Sequence, residues 1–456
     1  MLELLLLAVG ISSATVAKVL TWAGILGIAG VIYGMLKRYE TRTVLLSAGF
    51  ILSFLTLQPL SAFKAFETSL MTMMIKTILP VVGFASVMKL TKCDAHMVNL
   101  LVGVTSRMRL LVVPAVVVAT SFINISLTSA AGVSAAVGAV MIPLMMSMGV
   151  HPAVAGAAIM AGTYGSKLSP GSAHNSYIAS ELLKNNDVMG VIGVHYKVTI
   201  ACIFIGAIGL TLFALFRKEL SGYVLPEDRQ LETIEKPKIH LAIIPLIPVA
   251  LLTLSAVISG ASAPEWGKNL LAHVPWFKKL SVCTAMLIGT FLGLLATRTA
   301  PSAATKEFFK GMSNAYGSII GIILAAGVFV GGLHAVGLIE AMVGVMKSMR
   351  SIALYTATFG PFILAIITGS GDAAAMAFNA AVTPFARDFG MGIAELGSLS
   401  TLAGSLGRTV SPIAGATVLC AGLAGCSPVE IAKRNAPGIF IALIYGMIML
   451  GGTPAP

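Results

Sequence analysis

Residues 162–174 read GTYGSKLSPGSAH, and residues 404–416 read GSLGRTVSPIAGA. Both fit G-[ST]-x-G-x-x-[LV]-S-P, and both interrupt apolar sequence. Proline lacks an amide hydrogen and glycine leaves the backbone bare, so each run is expected to break a helix. Two interruptions of one pattern point to a duplicated architecture.

The 456 residues are 57% hydrophobic and 11% charged, with a mean hydropathy of +0.93. A soluble domain of that length needs more charge to cover its surface. Apolar runs of roughly 17–25 residues, long enough to cross a bilayer, recur from end to end. The chain is read as an all-α polytopic membrane protein. Its net charge of +12 falls mainly in short loops, where basic residues set orientation, so no nucleic-acid partner is inferred. Cys93, Cys202, Cys283, Cys420 and Cys426 form no CxxC pair, so neither a metal site nor a disulfide framework is indicated. The glycine-rich runs lack G-x-x-x-x-G-K-[ST], which argues against a nucleotide-driven pump. Residues 1–17 carry Glu3 and no basic n-region, and are read as an interfacial or extra transmembrane helix rather than a secretory signal.

Candidate spans are 18–36, 42–58, 72–88, 153–184 (interrupted), 191–216, 241–260, 280–297, 314–333, 392–424 (interrupted) and 435–452. Residues 110–147 and 352–390 read as re-entrant hairpins with small-residue tips, and 89–109 and 334–350 as amphipathic connectors. Ser129 pairs with Ser370, Pro143 with Pro384 and Gly149 with Gly390, each 241 residues apart. Gly162 and Gly404, Gly165 and Gly407, Ser169 and Ser411, and Pro170 and Pro412 pair at 242. The expected fold is therefore two repeats, 18–216 and 241–456, joined by a polar cytoplasmic linker, 217–240. Each repeat would hold about five transmembrane helices and one hairpin, and an odd number of spans inverts the second repeat. Lys37, Arg38, Arg42, Lys89, Lys92, Arg107, Arg109, Arg217, Lys218, Arg229, Lys236, Lys238, Arg298, Lys306, Lys310, Lys433 and Arg434 then lie inside, against chiefly Lys64, Lys268, Lys278, Lys279, Lys347, Arg350 and Arg387 outside.

Broken helices expose backbone groups that bind solutes, so the two breaks and two hairpin tips are expected to converge on one site. The candidate substrate-binding residues of the first half are Asn124, Thr128, Ser129, Ala130, Gly165, Lys167 and Ser169. Those of the second half are Thr368, Gly369, Ser370, Gly371, Gly407, Arg408, Thr409 and Ser411. Lys167 and Arg408, one cation from each half, would suit a substrate with two carboxylates. Asp372, with Ser129 and Ser370, is a candidate for the coupling ion, either Na⁺ or H⁺; alternatively it neutralises Arg408 in the empty site. His174 and Asn175 follow the first break and could lend donors. No catalytic set is evident, and no cofactor is expected. Ser166 and Lys167 are adjacent and point apart on a helix, which leaves an intramembrane hydrolase as a remote alternative.

Three stretches carry a resemblance: AAGVFVGGLHAVGLIEAM (325–342), TGSGDAAAMAF (368–378) and GSLGRTVSPIAGATVLCAGLAGCSPVEIAKR (404–434). They resemble the anaerobic C4-dicarboxylate carriers of the DcuC type, within the ion-transporter superfamily that includes the divalent anion–sodium symporters. The likeness covers most of the chain after about residue 18 and is sharpest in the L-G-R-T-[LV]-S-P run. It implies a homodimer in the bacterial inner membrane, with a scaffold domain and an elevator-type transport domain holding the hairpins. It also implies succinate, fumarate and malate as substrates, moved by exchange or by proton- or cation-linked flux. The Ser-Asn-Thr signatures of the sodium symporters are absent; LTSAAG and TGSGDA stand in their places, which weakens a sodium-coupled reading. The alternative is the same machine carrying a tricarboxylate, a gluconate-like acid or an amino-dicarboxylate.

Overall fold

The computed structural model describes residues 13–37, 39–56, 59–70, 75–105, 111–224, 236–259, 264–341 and 350–451. The first twelve residues, the middle of the linker (225–235) and the ends of both connectors (106–110 and 342–349) lie outside the described residues. Every regular element among the described residues is helical. A chain in hydrocarbon must satisfy its backbone internally, and helices do so within one segment.

Along the first half run α1 (Ser13–Leu36), α2 (Thr41–Leu55), α3 (Pro59–Leu70), α4 (Ile75–Leu90) and α5 (Cys93–Thr105). A hairpin follows, α6 (Val112–Ser126) and α7 (Ala130–Ser147), then α8 (Pro152–Ala161), α9 (Ala173–Tyr177) and α10 (Val188–Phe216). The second half holds α11 (Ile239–Ser259, with an internal 3₁₀ turn), α12 (Glu265–His273), α13 (Val282–Thr297), α14 (Pro301–Ala315) and α15 (Gly321–Ala335). It closes with a second hairpin, α16 (Arg350–Thr368) and α17 (Gly371–Ala381), then α18 (Ile393–Thr409), α19 (Gly415–Ala424) and α20 (Pro428–Gly451). Helix–turn–helix pairs occupy both stretches expected as hairpins. Helices α3 and α12 are additions: each is short and carries charges (Lys64 and Glu67; Glu265 and Lys268), so a search for long apolar runs passes over them. The span expected at 314–333 starts inside α14, whose lysines read as loop, and continues through a π turn at Tyr316–Ile320 into α15.

Four described helices are long and apolar enough to cross a membrane: Ala130–Ser147, Val188–Phe216, Ile239–Ser259 and Pro428–Gly451. On α10, Ile200, Phe204, Ile208 and Leu212 form an exposed apolar stripe, while Val198, Cys202, Gly206 and Leu210 are buried. A helix apolar on both faces, with one face uncovered by protein, is solvated by lipid. The protein is a multi-pass membrane protein.

The helices form two packing groups that mix the halves. In one, α2 and α3 pack on α15, and α4 packs on α13 and α14. In the other, α16 and α17 pack on α18, α7 and α8 pack on α19, and α10 packs on α20. The α10–α20 crossing needs glycine, because a Cβ on Gly209 would lie 2.4 Å from the Gly438 Cα. Small residues let helix backbones meet where no hydrophobic drive separates protein from lipid.

At the end of α10 the chain is strapped back onto this group. Arg434 grips Glu219 with two hydrogen bonds, Nε to Oε2 at 2.8 Å and Nη2 to Oε1 at 2.7 Å. The Glu219 carbonyl accepts from His151 N (2.9 Å), and the Tyr223 amide donates to the Gly149 carbonyl (3.0 Å). Burial pushes the Glu219 carboxyl up, but hydrogen bonds from Arg434 and Arg217 outweigh it and hold the group below the ordinary 4.5. A depressed carboxylate contributes stability above its unfolded value, and that contribution is lost as pH falls through the folded one. Glu219→Gln is expected to lower stability by about 2 kcal/mol at pH 7. Thermal melts in detergent check this, and the gap from wild type should close below pH 4.5.

Candidate functional site

The first break begins where α8 ends. Helix α8 starts well, with Pro152 at its first position and the His151 ring accepting from Ala153 N (3.2 Å). It ends at Ala161, where the amides of Gly162 and Thr163 tighten onto the Ile159 and Met160 carbonyls (3.0 Å each), and Ser166 N, four residues past Gly162, then donates to Asn124 Oδ1 at 2.8 Å. A side-chain acceptor that replaces the i−4 carbonyl competes with the helix. Gly165–Leu168 makes one 3₁₀ turn, and Ser169, ahead of Pro170, is extended. Asn124 also donates to the Leu127 carbonyl (2.7 Å), which ties the break to the first hairpin tip. Asn175 Nδ2 holds the freed carbonyls of Lys167 (2.8 Å) and Ser169 (3.2 Å). Behind it, His195 Nε2 meets Asn175 Oδ1 at 3.3 Å, and His195 Nδ1 meets Thr199 at 3.0 Å. The amide accepts there, so the imidazole is protonated on Nε2.

The second run behaves differently, which corrects the expectation of two equal breaks. Helix α18 continues through Gly404, Gly407, Arg408 and Thr409, and the backbone leaves the helix only at Val410–Ala414. Pro412 ends the helix, while Ala365, in register with Asn124, has no acceptor to divert it. Other contacts match across the halves. A Cβ on Gly165 would lie 2.1 Å from the Ser121 carbonyl, and one on Gly407 would lie 2.2 Å from the Phe362 carbonyl. Ser121 and Phe362 are themselves 241 residues apart. Ser169 N donates to the Ser166 carbonyl (3.0 Å), and Ser411 N to the Arg408 carbonyl (3.1 Å). Ser129 caps α7 by accepting from Gly132 N (3.1 Å); Ser370 caps α17 by accepting from Ala373 N (3.2 Å). At the second tip Gly369 adopts φ +75°, a left-handed turn suited to glycine.

The first break, Thr128 at the first tip and Asp372 beside the second tip border a cavity of about 120 Å³, lined also by Ser166, Lys167, Ser172 and His174. No residue of the second run, 404–416, is in its lining, so the two breaks do not converge there as expected. Ile78 and Val82 of α4 and Ile322 and Ile323 of α15 close its far side, so it lies between the two packing groups. These four residues are invisible as site residues in the sequence, where they read as ordinary membrane span. Lys167 Nζ lies 3.2 Å from Asp372 Oδ1, and His174 Nε2 lies 3.0 Å from the same oxygen. The Lys167 side chain is 4% exposed and Asp372 60%, so the ammonium is fixed and the carboxylate faces open space. A larger cavity of about 560 Å³ between α1 and α2 has no charged side chain in its lining and offers no counter-charge for an anion.

Of the expected site residues, Thr128, Lys167 and Asp372 line the charged cavity. Asn124, Gly165 and Ser169 shape the first break beside it, Ser370 and Gly371 shape the second tip, and Gly407 and Ser411 instead pack the end of α18 against α16. Thr368 also shapes the second tip, accepting from Ser370 N (3.2 Å), and Ser411 donates to the Ile366 carbonyl (2.7 Å). Ala130 and Gly371 open the two hairpin helices, and a Cβ on Gly371 would lie 2.4 Å from the Gly404 carbonyl. Thr409 bonds back to the Leu406 carbonyl (2.7 Å). Asp372 is paired with Lys167 and His174, not with Arg408.

Arg408 sits behind the second tip rather than in the cavity lining. Its Nη2 donates to the Thr163 carbonyl at 2.9 Å, and its buried Nε has no partner among the described residues. Thr163 lies two residues past the end of α8, so the guanidinium answers the negative end of that helix. Arg408→Ala is expected to cost about 1.5–3 kcal/mol of stability, because a carbonyl loses a charged donor. Melting temperature and succinate KM separate the roles: the melt should fall most in Arg408→Ala and the KM should rise most in Lys167→Ala.

An uncharacterised transporter of Haemophilus influenzae is 40% identical over 286 residues, spanning 61% of this chain and 98% of its own. The anaerobic C4-dicarboxylate transporter DcuC of Escherichia coli K12 is 27% identical over 347 residues, 73% of this chain and 71% of its own. Among solved structures, MtrF of Neisseria gonorrhoeae superimposes with a TM-score of 0.61 at 16% identity, covering 86% of this chain and 83% of that one. The YdaH transporter of Alcanivorax borkumensis superimposes with a TM-score of 0.50 at 16% identity, covering 82% and 84%. These two share the fold. The relatives are transporters, not enzymes. The DcuC family profile, that of the C4-dicarboxylate anaerobic carriers, matches residues 2–453, and the chain belongs to this family.

Proposed function

We propose that the protein carries C4-dicarboxylates such as succinate, fumarate and malate across the bacterial inner membrane by alternating access. The observation that carries this reading is the buried Lys167 ammonium, held at a broken helix in a cavity between two helix groups. A fixed cation at such a break is costly in a membrane and is built to meet an anion. The hydroxyls of Thr128, Ser166 and Ser172 line the same cavity and suit a second carboxylate. The name of the Escherichia coli relative supports a four-carbon diacid.

On this reading residues 18–216 and 241–456 are inverted repeats, and 217–240 is a cytoplasmic linker. The matched serine caps and glycine contacts support the repeat. The group of α6–α10 and α16–α20 is the moving transport body, and α2–α4 with α13–α15 is the scaffold, in a homodimer. Apolar α4 and α15 faces along the cavity leave a surface over which the transport body can slide. Coupling to a cation accompanies or replaces exchange.

Uptake of labelled succinate into proteoliposomes preloaded with unlabelled succinate tests the reading. Saturable counterflow is expected. Flux without saturation or counterflow would mark a channel, and product formation without a gradient would mark a hydrolase. Counterflow with a tricarboxylate, gluconate or aspartate but not with succinate, fumarate or malate would move the substrate class.

A further inference from the structure

The charged cavity already holds a carboxylate, and it is the protein's own. We infer that Asp372 occupies the seat of a substrate carboxylate on Lys167 in the empty carrier, so that a ligand must displace it to bind. The inference rests on the diacid reading above and concerns how that site selects.

Three observations support it. Asp372 Oδ1 receives both Lys167 Nζ (3.2 Å) and His174 Nε2 (3.0 Å), the pair of donors an incoming carboxylate would use. The two partners differ in freedom: Lys167 and His174 are 4% and 3% exposed, whereas Asp372 is 60% exposed. Rotation of one side chain therefore vacates the seat, while the donors cannot follow it. Finally, Asp372 belongs to the first turn of α17, in the opposite half of the chain from both donors. Its departure leaves the helices on both sides intact, because Ser370, not Asp372, caps α17.

The consequence is a threshold. A monocarboxylate that replaces Asp372 exchanges one carboxylate for another on the same donors and gains little. A dicarboxylate makes the same exchange and adds a second carboxylate at the hydroxyls of Thr128 and Ser172. Specificity is a difference of affinities, and an internal competitor lowers every affinity by one factor. Weak ligands then fall below usable binding while diacids remain above it. The other ionised group near Asp372 is Arg408, whose Cβ lies 3.1 Å from the Cβ position of Gly371 and whose guanidinium is engaged by Thr163. It does not offer a competing seat.

Binding of succinate and butyrate, measured by calorimetry on purified wild type and Asp372→Asn, tests the inference. The variant is expected to bind both acids tighter, each by about the same factor of at least ~10, so that butyrate becomes measurable. Weaker succinate binding would make Asp372 a substrate or ion ligand, and unchanged binding a bystander; either overturns the inference. Acetate supplies a second readout that needs no diacid. It should raise the melting temperature of Asp372→Asn and Asp372→Ser by refilling the seat, and leave wild type unchanged. No acetate shift in either variant overturns the inference as well. Should wild type fail to bind succinate while acetate still rescues the variants, the diacid reading falls and the seat stands.

Discussion

Lys167→Ala is expected to weaken succinate counterflow by at least ~30-fold, chiefly through a raised KM, while the protein stays folded in the membrane. The magnitude follows from the surroundings. Lys167 is the one lysine or arginine among the residues lining the charged cavity. Without it, an incoming dianion meets the Asp372 carboxylate with only His174 between them. Truncating one partner of a buried, hydrogen-bonded charge pair costs about 2–5 kcal/mol, which spans about 30-fold to several thousand-fold in affinity. Lys167→Arg should recover part of the activity, since charge is kept but the planar guanidinium does not fit an ammonium's place. Counterflow with labelled succinate in proteoliposomes checks both variants, with size-exclusion profiles confirming the fold. If Lys167→Ala exchanges within a few-fold of wild type, the seat is not in this cavity and Arg408 becomes the anion ligand to test.

Gly165→Ala and Gly407→Ala are expected to be the most damaging small substitutions in the chain, each costing about 3 kcal/mol. The added Cβ atoms would lie 2.1 and 2.2 Å from the Ser121 and Phe362 carbonyl oxygens. Backbone atoms inside a packed helix have nowhere to go, so α6 must part from the first break and α16 from α18. Gly415→Ala is the control: nothing lies within 4 Å of its Cβ position, and it sits at the start of α19. It should be neutral or stabilising by up to about 1 kcal/mol, because alanine is the better helix former. Thermal melts of the three variants in detergent separate the cases. Equal melting of all three would mean that the hairpins do not rest on the breaks.

Much of this was legible in the sequence. Hydropathy located the hairpins and most spans to within a few residues, because lipid forces each spanning segment to be helical and apolar on its own. The 241–242 residue offset paired Gly165 with Gly407, and the structure adds that their backbone contacts, Ser121 and Phe362, keep the same offset. Ser129 and Ser370, expected to meet substrate or ion, instead cap α7 and α17, because each precedes its helix in extended conformation. The short charged helices α3 and α12 could not be read from the sequence, since neither length nor hydropathy marks them. Nor could the unequal breaks. The two runs share the same glycine, serine and proline frame, and one contact that sets them apart comes from Asn124, some forty residues upstream, whose side chain takes Ser166 N.

The choice of cation is the sharpest case. By itself the sequence located two cations, one acid and two small-residue turns within apolar sequence, because those properties are carried by short segments. That Lys167 sits at a break and Arg408 inside a continuous helix was not legible there. Which cation faces the cavity, and which carbonyl the other one holds, was decided only by tertiary structure. Lys167 meets Asp372 across 205 residues of chain, and Arg408 meets Thr163 across 245. Those pairings depend on how the second half docks on the first, and periodicity along a chain carries no information about that rotation.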